Sequence, residues 1–168
     1  VARYGMVTFR QDDGLAINDV LRIGADRDGT LTVISNAWYI NQENRREQRH
    51  SGQPVSGARF HSVTLNLPKQ LSESSVGNRE MVQDRQGDWW ISSGAGVAHF
   101  SGVRELADLA RLRPRVYTTR DGLADDNVNR LFADSRGDIW ASSYHPPVTL
   151  ARWTSSSKVW QRYGEAEG

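Results

Sequence analysis

The chain has 168 residues, of which 21 are basic and 20 acidic, so its net charge of +1 predicts no nucleic-acid partner. It contains no cysteine, which excludes disulfides and thiolate metal sites. No apolar run approaches the roughly 18 residues of a membrane-spanning helix, so no membrane span is expected. The six Trp, five Tyr, four Phe and 15 Gly favour short twisted strands joined by tight turns.

Three similar units follow one another along the chain. In each unit a leucine is followed five positions on by a valine and then by an Asp-x-x-Gly turn. The leucines are Leu15, Leu71 and Leu123, which lie 56 and 52 residues apart. Self-similarity at a period of about 50 residues is typical of repeat architectures.

Each unit contains four strand-like segments. The first ends at the aspartate of the turn, where Asp can hydrogen-bond its own backbone and Gly tolerates positive φ. The fourth carries an apolar anchor, which is Phe9, Leu65, Tyr117 or Tyr163. In the three units, in chain order, the first strand is expected at 20–25, 80–83 and 128–133. The second strand is expected at 31–35, 89–93 and 139–143. The third strand is expected at 37–40, 97–100 and 149–153.

Four short antiparallel strands in about 50 residues are the content of one propeller blade. The sequence therefore predicts an all-β fold, a partial β-propeller of about three four-stranded antiparallel blades plus strands of a preceding blade. Its expected parts are 1–9 as the end of the preceding blade, 15–67, 71–119 and 123–163 as blades, and 164–168 as the start of a link to the next blade.

Two segments interrupt the pattern. The polar stretch 42–57 is expected to be a surface loop, and the leucine spacing in 102–113 predicts a short amphipathic helix ended by Pro114. The chain begins at Val1 without a methionine or signal peptide, and common propellers have four to eight blades. We expect either part of a longer protein or copies that associate through their open blade edges.

The third unit resembles the two-component regulator propeller repeat. It carries Asp121-Gly122-Leu123, Asn127-Val128 and a turn at 134–137 that leads into Asp138-Ile139-Trp140. The second unit matches the pattern at Asp84, Gly87, Trp90-Ile91 and Phe100, with Gln70 in place of a glycine. The first unit keeps Asp13-Gly14-Leu15, Asp26 and Gly29, but Thr32 replaces the usual tryptophan.

The resemblance implies a sensor. Such propellers form the periplasmic or extracellular input half of bacterial signalling proteins and precede a histidine kinase or another output module. For this chain it implies a ligand-sensing module in the periplasmic or extracellular portion of a membrane-anchored sensor. The output domain of the parent chain would be its partner. Fold alone does not dictate function, so these remain expectations by analogy.

Loops on one end of the blades are the candidate ligand site. In an up-and-down blade, the link to the next blade lies on the same face as the loop between the second and third strands. That rim of amides, hydroxyls, an imidazole and an aromatic ring suits a small polar or carbohydrate ligand. An alternative is that Asn18 and Asn127 cap turns between blades. The rim candidates are Asn18, Asp19, Asn36, Asp126, Asn127, Tyr144 and His145.

The sequence favours a protein that is not an enzyme and has no cofactor. The four histidines have no metal-ligand spacing, and neither a nucleophile elbow nor a dinucleotide-binding loop is present. The tryptophans are expected to pack between blades. Trp89 is the exception among them, since its counterparts in the other units are Leu31 and Ile139.

Two other functions stay open. The propeller face is also suited to a protein–protein interaction or oligomerisation scaffold. A propeller lyase or glycosidase, with acidic residues from blades outside this sequence, is the third possibility.

Overall fold

The computed structural model describes residues 8–35, 39–43, 60–74, 80–143 and 149–164. In these ranges, twelve strands form three sheets of four. No helix in this part of the chain is long and apolar enough to cross a membrane. The strands are β1 (Val20–Ala25), β2 (Leu31–Ser35), β3 (Tyr39–Glu43), β4 (Phe60–Thr64), β5 (Met81–Gln83), β6 (Trp89–Ser93), β7 (Gly96–Phe100), β8 (Arg115–Tyr117), β9 (Val128–Ala133), β10 (Ile139–Ser143), β11 (Leu150–Thr154) and β12 (Val159–Tyr163).

Each sheet is an antiparallel meander whose strands follow chain order. We call the sheets blade 1 (β1–β4), blade 2 (β5–β8) and blade 3 (β9–β12). The prediction of an all-β fold with about three four-stranded blades is confirmed. The sheets lie within the predicted ranges 15–67, 71–119 and 123–163. Most of the segment expected to end a preceding blade, residues 1–7, lies outside the described residues.

The Asp-x-x-Gly turns join the first two strands of every blade, as the sequence predicts. Asp84 Oδ1 accepts hydrogen bonds from the backbone N–H groups two and four residues further on, both at 3.0 Å. Asp26 and Asp134 make the same pair of contacts in their blades. Gly87 has φ 91°, which only glycine adopts without strain. We call this end of the blades the turn face and the opposite end, with the links between blades, the linker face.

Neighbouring blades stack face to face, and hydrogen bonds tie their turns together. The N–H of Arg27 in blade 1 donates to Gln83 Oε1 in blade 2 at 3.0 Å. Arg85 Nη1 of blade 2 donates to the Ser135 carbonyl oxygen in blade 3 at 2.8 Å. A hydrogen bond between turns therefore joins blade 1 to blade 2, and another joins blade 2 to blade 3.

Two hydrophobic clusters fill the spaces between blades. The first interface, between blades 1 and 2, is mainly aliphatic, whereas the second interface, between blades 2 and 3, holds four large aromatic side chains. Buried residues of the first are Ile40, Val63, Leu65, Leu71, Trp89, Ile91, Ala98, Phe100, Leu106 and Leu109. Those of the second are Trp90, Val97, Tyr117, Leu123, Val128, Leu131, Ile139, Ala141, Ala151, Trp153 and Trp160.

The connection between β7 and β8 differs from the predicted amphipathic helix. It forms only a five-residue 3₁₀ turn, Leu106–Ala110, which ends four residues before Pro114. Leu106 and Leu109 are buried against the first interface, as their spacing suggested. Asp108 Oδ2 accepts hydrogen bonds from the N–H groups of Arg104 and Glu105 at 2.9 and 3.2 Å, which fixes the start of this turn. Two leucines three residues apart therefore satisfy the core without a longer helix.

The third strand of blade 1 extends further along the chain than predicted. It covers Tyr39–Glu43, although residues 42–57 were expected to form a loop. Gln42 stays in the sheet because it pairs with Thr32 and His61 on either side, and its Nε2 donates to Asp26 Oδ2 at 2.8 Å. Residues 44–57 lie outside the described part.

Candidate functional site

The linker face brings some of the predicted rim residues to the links between blades. Asn18 and Asp19 precede β1 and are exposed, and Asp126 and Asn127 occupy the same place before β9. The Asp126 carbonyl accepts a hydrogen bond of 2.6 Å from the N–H of Gly96, in the turn between β6 and β7. A link and a turn between second and third strands therefore meet on this face, as the up-and-down topology requires.

Two rim side chains act on the backbone of their own links. Asn18 Oδ1 accepts from the Gln11 N–H at 3.2 Å, and Asp126 Oδ1 accepts from the Thr119 N–H at 2.6 Å. The turn-capping alternative is therefore observed for Asn18, whereas the cap in blade 3 comes from Asp126 rather than from Asn127.

Three rim candidates, Asn36, Tyr144 and His145, lie outside the described residues. The rim as a ligand site stays a prediction for all seven residues.

A cluster of Asp84, Asp88 and His99 lies at the turn end of blade 2, with ligand-type atoms within 4.8 Å of one another. Each carboxylate oxygen already accepts a hydrogen bond. Asp84 Oδ2 accepts from Trp90 Nε1 at 2.8 Å, and its other oxygen binds the turn backbone. Asp88 Oδ1 accepts from the Gly102 N–H at 2.9 Å, and Oδ2 lies 3.0 Å from His99 Nε2. The cluster is thus a structural network that holds the turn against its neighbouring strands.

Blade 3 repeats this network with different chemistry. Arg152 takes the place of His99 and binds Asp138, and Trp140 Nε1 donates to Asp134 at 3.1 Å. Burial opposes ionisation of Asp134, but the Trp140 and backbone hydrogen bonds outweigh it and lower its pKa to about 2. In blade 2, burial lowers the pKa of His99 below its ordinary value of 6.5, although Asp88 and Asp84 act in the opposite direction. Burial thus favours the neutral form of the His99 ring, which is stacked on Trp90 with ring centroids 3.8 Å apart.

A cavity of about 350 Å³ opens on the turn face between blades 1 and 2. Polar side chains come from the turn of blade 1 and from β3, β4 and β5, and apolar ones come from β6 and the β7–β8 connection. We call this site the interblade cavity. It is lined by Asp26, Arg27, Asp28, Thr30, Gln42, His61, Gln83, Trp89, Val103, Arg104, Glu105, Leu106 and Ala107.

Blade 1 has small side chains at two cross-strand positions next to Gln42, one of the residues that line the interblade cavity. Thr32 stands where blades 2 and 3 have Trp90 and Trp140, and its cross-strand neighbour is Gly24. The corresponding neighbours in blades 2 and 3 are Val82 and Phe132. Thr32 and Gly24 do not line the cavity themselves, but Thr32 pairs across the sheet with Gln42, which does line it.

The polar groups of the cavity are positioned by the two blades. Asp26 accepts from Gln42 Nε2 in the role that a tryptophan has in the other blades. Gln83 binds the Arg27 N–H through Oε1 and the Gly87 carbonyl through Nε2. Since both amides are tied to backbone or to a carboxylate, the polar wall is preorganised rather than free to collapse into the gap.

Sequence reasoning missed the interblade cavity because it placed the ligand on the linker face. Two signals were nonetheless visible in the sequence. Thr32 breaks the tryptophan pattern, and Trp89 supplies an aromatic ring where the sister units have aliphatic residues. Only the fold shows that these two departures face each other across one interface.

Comparisons with known proteins agree with the architecture. The model of the family described as two component regulator propeller matches residues 122–145. No curated protein matches the chain. The sequence-based resemblance is therefore confirmed by a repeat that coincides with the start of blade 3.

Several solved structures share the fold. One is the extracellular domain of a protein described as a one component system, from B. thetaiotaomicron, with TM-score 0.61, 15% identity and coverage of 88% of this chain and 18% of that chain. A second is the extracellular domain of a hybrid two component system from the same organism, with TM-score 0.57, 16% identity and coverage of 96% and 19%. Virginiamycin B lyase from Staphylococcus aureus is also similar, with TM-score 0.52, 12% identity and coverage of 84% and 39%.

At these identities the likeness shows the fold alone. The chain spans about a fifth of the length of the two sensor domains.

Proposed function

Because the chain carries the two component regulator propeller repeat at residues 122–145, we propose that it is a noncatalytic ligand-sensing module of a bacterial signal-transduction protein. Its fold is shared with extracellular domains of one component and hybrid two component systems, which supports a periplasmic or extracellular position by analogy. A downstream kinase or another output domain of the parent chain would receive the signal.

The observation that carries this proposal is the match of the family repeat at residues 122–145, within a chain that has three four-stranded blades. The hydrogen bonding of the Asp84–Asp88–His99 cluster supports a noncatalytic role, since its carboxylate oxygens are engaged with the fold. Ligand binding changes signalling only through different affinities for two states of the protein. Contacts that bridge two blades are one way to produce such a difference.

The ligand class that we propose is small and polar, with carbohydrates first. Isothermal titration of the full chain against neutral saccharides, uronic acids, amino sugars and small polar metabolites tests it. We expect a saturable heat for at least one neutral saccharide. No binding across the whole panel contradicts the sensing role.

A protein-interaction scaffold is the second candidate, and the outer face of blade 3 favours it. Phe132 is 63% exposed, and Leu150 and Val159 on the same face are also exposed. Sedimentation velocity of the full chain tests this function. A compact dimer that Phe132→Ser dissociates supports a scaffold, with Ile23→Ser, at an exposed position of blade 1, as the control.

A further inference from the structure

The two interfaces of this molecule provide an internal reference for the interblade cavity. At the second interface Trp90 is 0% exposed and its ring lies 4.7 Å from Trp153. At the first interface Thr32 occupies the equivalent position and a cavity of about 350 Å³ remains. Pockets that bind small molecules start at roughly 300 Å³. The gap is therefore large enough for one small ligand.

Several polar groups in the cavity have unused hydrogen-bonding capacity. Gln42 uses its Nε2 on Asp26, and within the described ranges its Oε1 has no donor. The Arg104 guanidinium makes no hydrogen bond or ion pair to any described residue. Asp28 has a side chain that is 78% exposed, and its ion pair with Arg27 is long, at 3.9 Å. Gln42 Oε1, the Arg104 guanidinium and the Asp28 carboxylate are thus available to a ligand in the interblade cavity.

The walls of the cavity differ in polarity. Trp89, Val103 and Leu106 form the apolar side, whereas Asp26, Gln42 and Gln83 stand among the polar residues that line it. An aromatic ring offers a large, rigid apolar surface. An apolar wall opposite a polar wall matches a sugar ring, which has an apolar C–H face and an edge of hydroxyl groups.

The charge of the lining argues against an ionic ligand. Arg27 and Arg104 are opposed by Asp26, Asp28 and Glu105, so the Arg, Asp and Glu side chains of the lining sum to −1. A balanced set does not select a polyanion, and the small excess of negative charge disfavours a uronic acid. The lining fits an uncharged, hydroxyl-rich molecule of one or two rings.

We infer that the interblade cavity binds a neutral mono- or disaccharide, with the sugar ring against Trp89 and its hydroxyl groups on Gln42, Asp28 and Arg104. This inference rests on the sensing function proposed above and moves the site from the linker face to the turn face. The saccharide contacts blade 1 through Gln42 and Asp28, and blade 2 through Trp89 and Arg104. Binding therefore stabilises the less completely filled of the two interfaces, which gives the ligand a structural effect on the propeller.

The test is a titration of the full chain with glucose, galactose, maltose and cellobiose, with glucuronic acid and glucosamine as charged comparisons. Variants of the cavity are Gln42→Ala, Arg104→Gln and Trp89→Leu, the last of which introduces the residue that blade 1 has at this position. Matched controls are Arg113→Gln, in the same β7–β8 connection, and Trp140→Leu, in blade 3. Near-UV circular dichroism and thermal unfolding establish that each variant is folded.

We expect each cavity variant to weaken the tightest neutral saccharide by about tenfold or more, which corresponds to about 1.4 kcal/mol. The controls should stay within about twofold of the unchanged chain, and the charged sugars should bind more weakly than glucose.

Two further variants separate this inference from the function on which it rests. Asn18→Ala and Asn127→Ala alter the rim of the linker face. Saccharide binding that these rim variants abolish and the folded cavity variants retain overturns the cavity as the site, while the sensing role stands. Binding confined to the charged sugars overturns the ligand class. The absence of any saccharide binding overturns both the inference and the proposed carbohydrate-sensing function.

Discussion

The first and second interfaces join blades of the same topology but are packed differently. In the second, the Trp90 ring stacks on His99 and lies beside Tyr117, with ring centroids at 3.8 and 5.7 Å. In the first, the same place on the sheet holds Thr32, and a cavity lies beside it. The comparison teaches that blades of the same topology can be joined either by a closed aromatic core or by an aliphatic core with a pocket at one end.

The turns show the same contrast at the level of hydrogen bonds. Asp84 is 3% exposed and holds the indole nitrogen of Trp90, which fixes the ring in the second interface. Asp26 has no indole to bind and holds the amide of Gln42 instead. In blade 1, Gln42 thus supplies the hydrogen bond that a tryptophan makes in the other blades, but Thr32 does not supply the volume of an indole ring.

The largest expected effect is that of Trp90→Ala. Removal of a fully buried tryptophan should lower the free energy of unfolding by about 3–5 kcal/mol. Trp140→Ala is the matched control, because Trp140 is half-buried and stacks on Tyr163 at 5.5 Å on the outer face of blade 3. We expect about 1–2 kcal/mol for this control in urea unfolding. Equal losses in the two variants would contradict the difference in packing.

Next in size is Asp84→Ala. The substitution leaves the Trp90 indole N–H and two backbone N–H groups of the turn without their acceptor, and Asp84 is buried. We expect a loss of about 2–3 kcal/mol in unfolding free energy. The corresponding change Asp134→Ala should cost less, since Asp134 is only partly buried and its indole partner Trp140 is on an open face. Chemical denaturation of both variants decides the order, and a larger loss for Asp134→Ala would refute it.

The pH dependence of stability should follow His99. Because burial lowers its pKa below 6.5 in the folded chain, the unfolded chain binds the proton more readily. The contribution of His99 to the free energy of unfolding is therefore fully present above the pKa of the unfolded chain. It is lost as the pH falls through 6.5 toward the lower pKa of the folded chain. His99→Gln, which introduces the residue that blade 1 has at this place, should flatten the change in urea midpoint between pH 7.5 and about 5. An unaltered slope in that variant would assign the dependence to other groups.

The smallest effect on stability should come from Thr32→Trp. An indole at this position enters the interblade cavity, and its nitrogen is placed to donate to Asp26, as Trp90 and Trp140 donate to their aspartates. The stabilisation from burying the indole and the destabilisation from local overpacking should nearly cancel, so the free energy of unfolding should change by no more than about 1 kcal/mol. The thermal unfolding midpoint measures it. A loss as large as that of Trp90→Ala would show that the cavity is closed to a ring.

Much of the fold could be predicted from the repeat. The period placed all three sheets, and the Asp-x-x-Gly spacing identified the turn aspartates, because both depend on contacts within a few residues. The tryptophans Trp90, Trp153 and Trp160 were expected between blades, and they are buried there.

The cavity could not be predicted in the same way. Its walls come from residues as distant as Asp26 and Glu105, and their meeting depends on which faces of blades 1 and 2 are apposed. The sequence identified Thr32 and Trp89 as departures from the repeat, but it did not show that Gln42, the cross-strand neighbour of Thr32, and Trp89 line the same cavity. For the β7–β8 connection, helical spacing of leucines was misleading, since Leu106 and Leu109 reach the core from a single 3₁₀ turn.

Native-state hydrogen exchange of the full chain tests the unequal packing of the two interfaces most directly. We expect the amides of β10 and β11, at the filled interface, to exchange only through global unfolding. Those of β2 and β3, beside the interblade cavity, should exchange through partial opening at a lower free energy. Equal protection of the four strands, or higher protection in blade 1, would contradict the account.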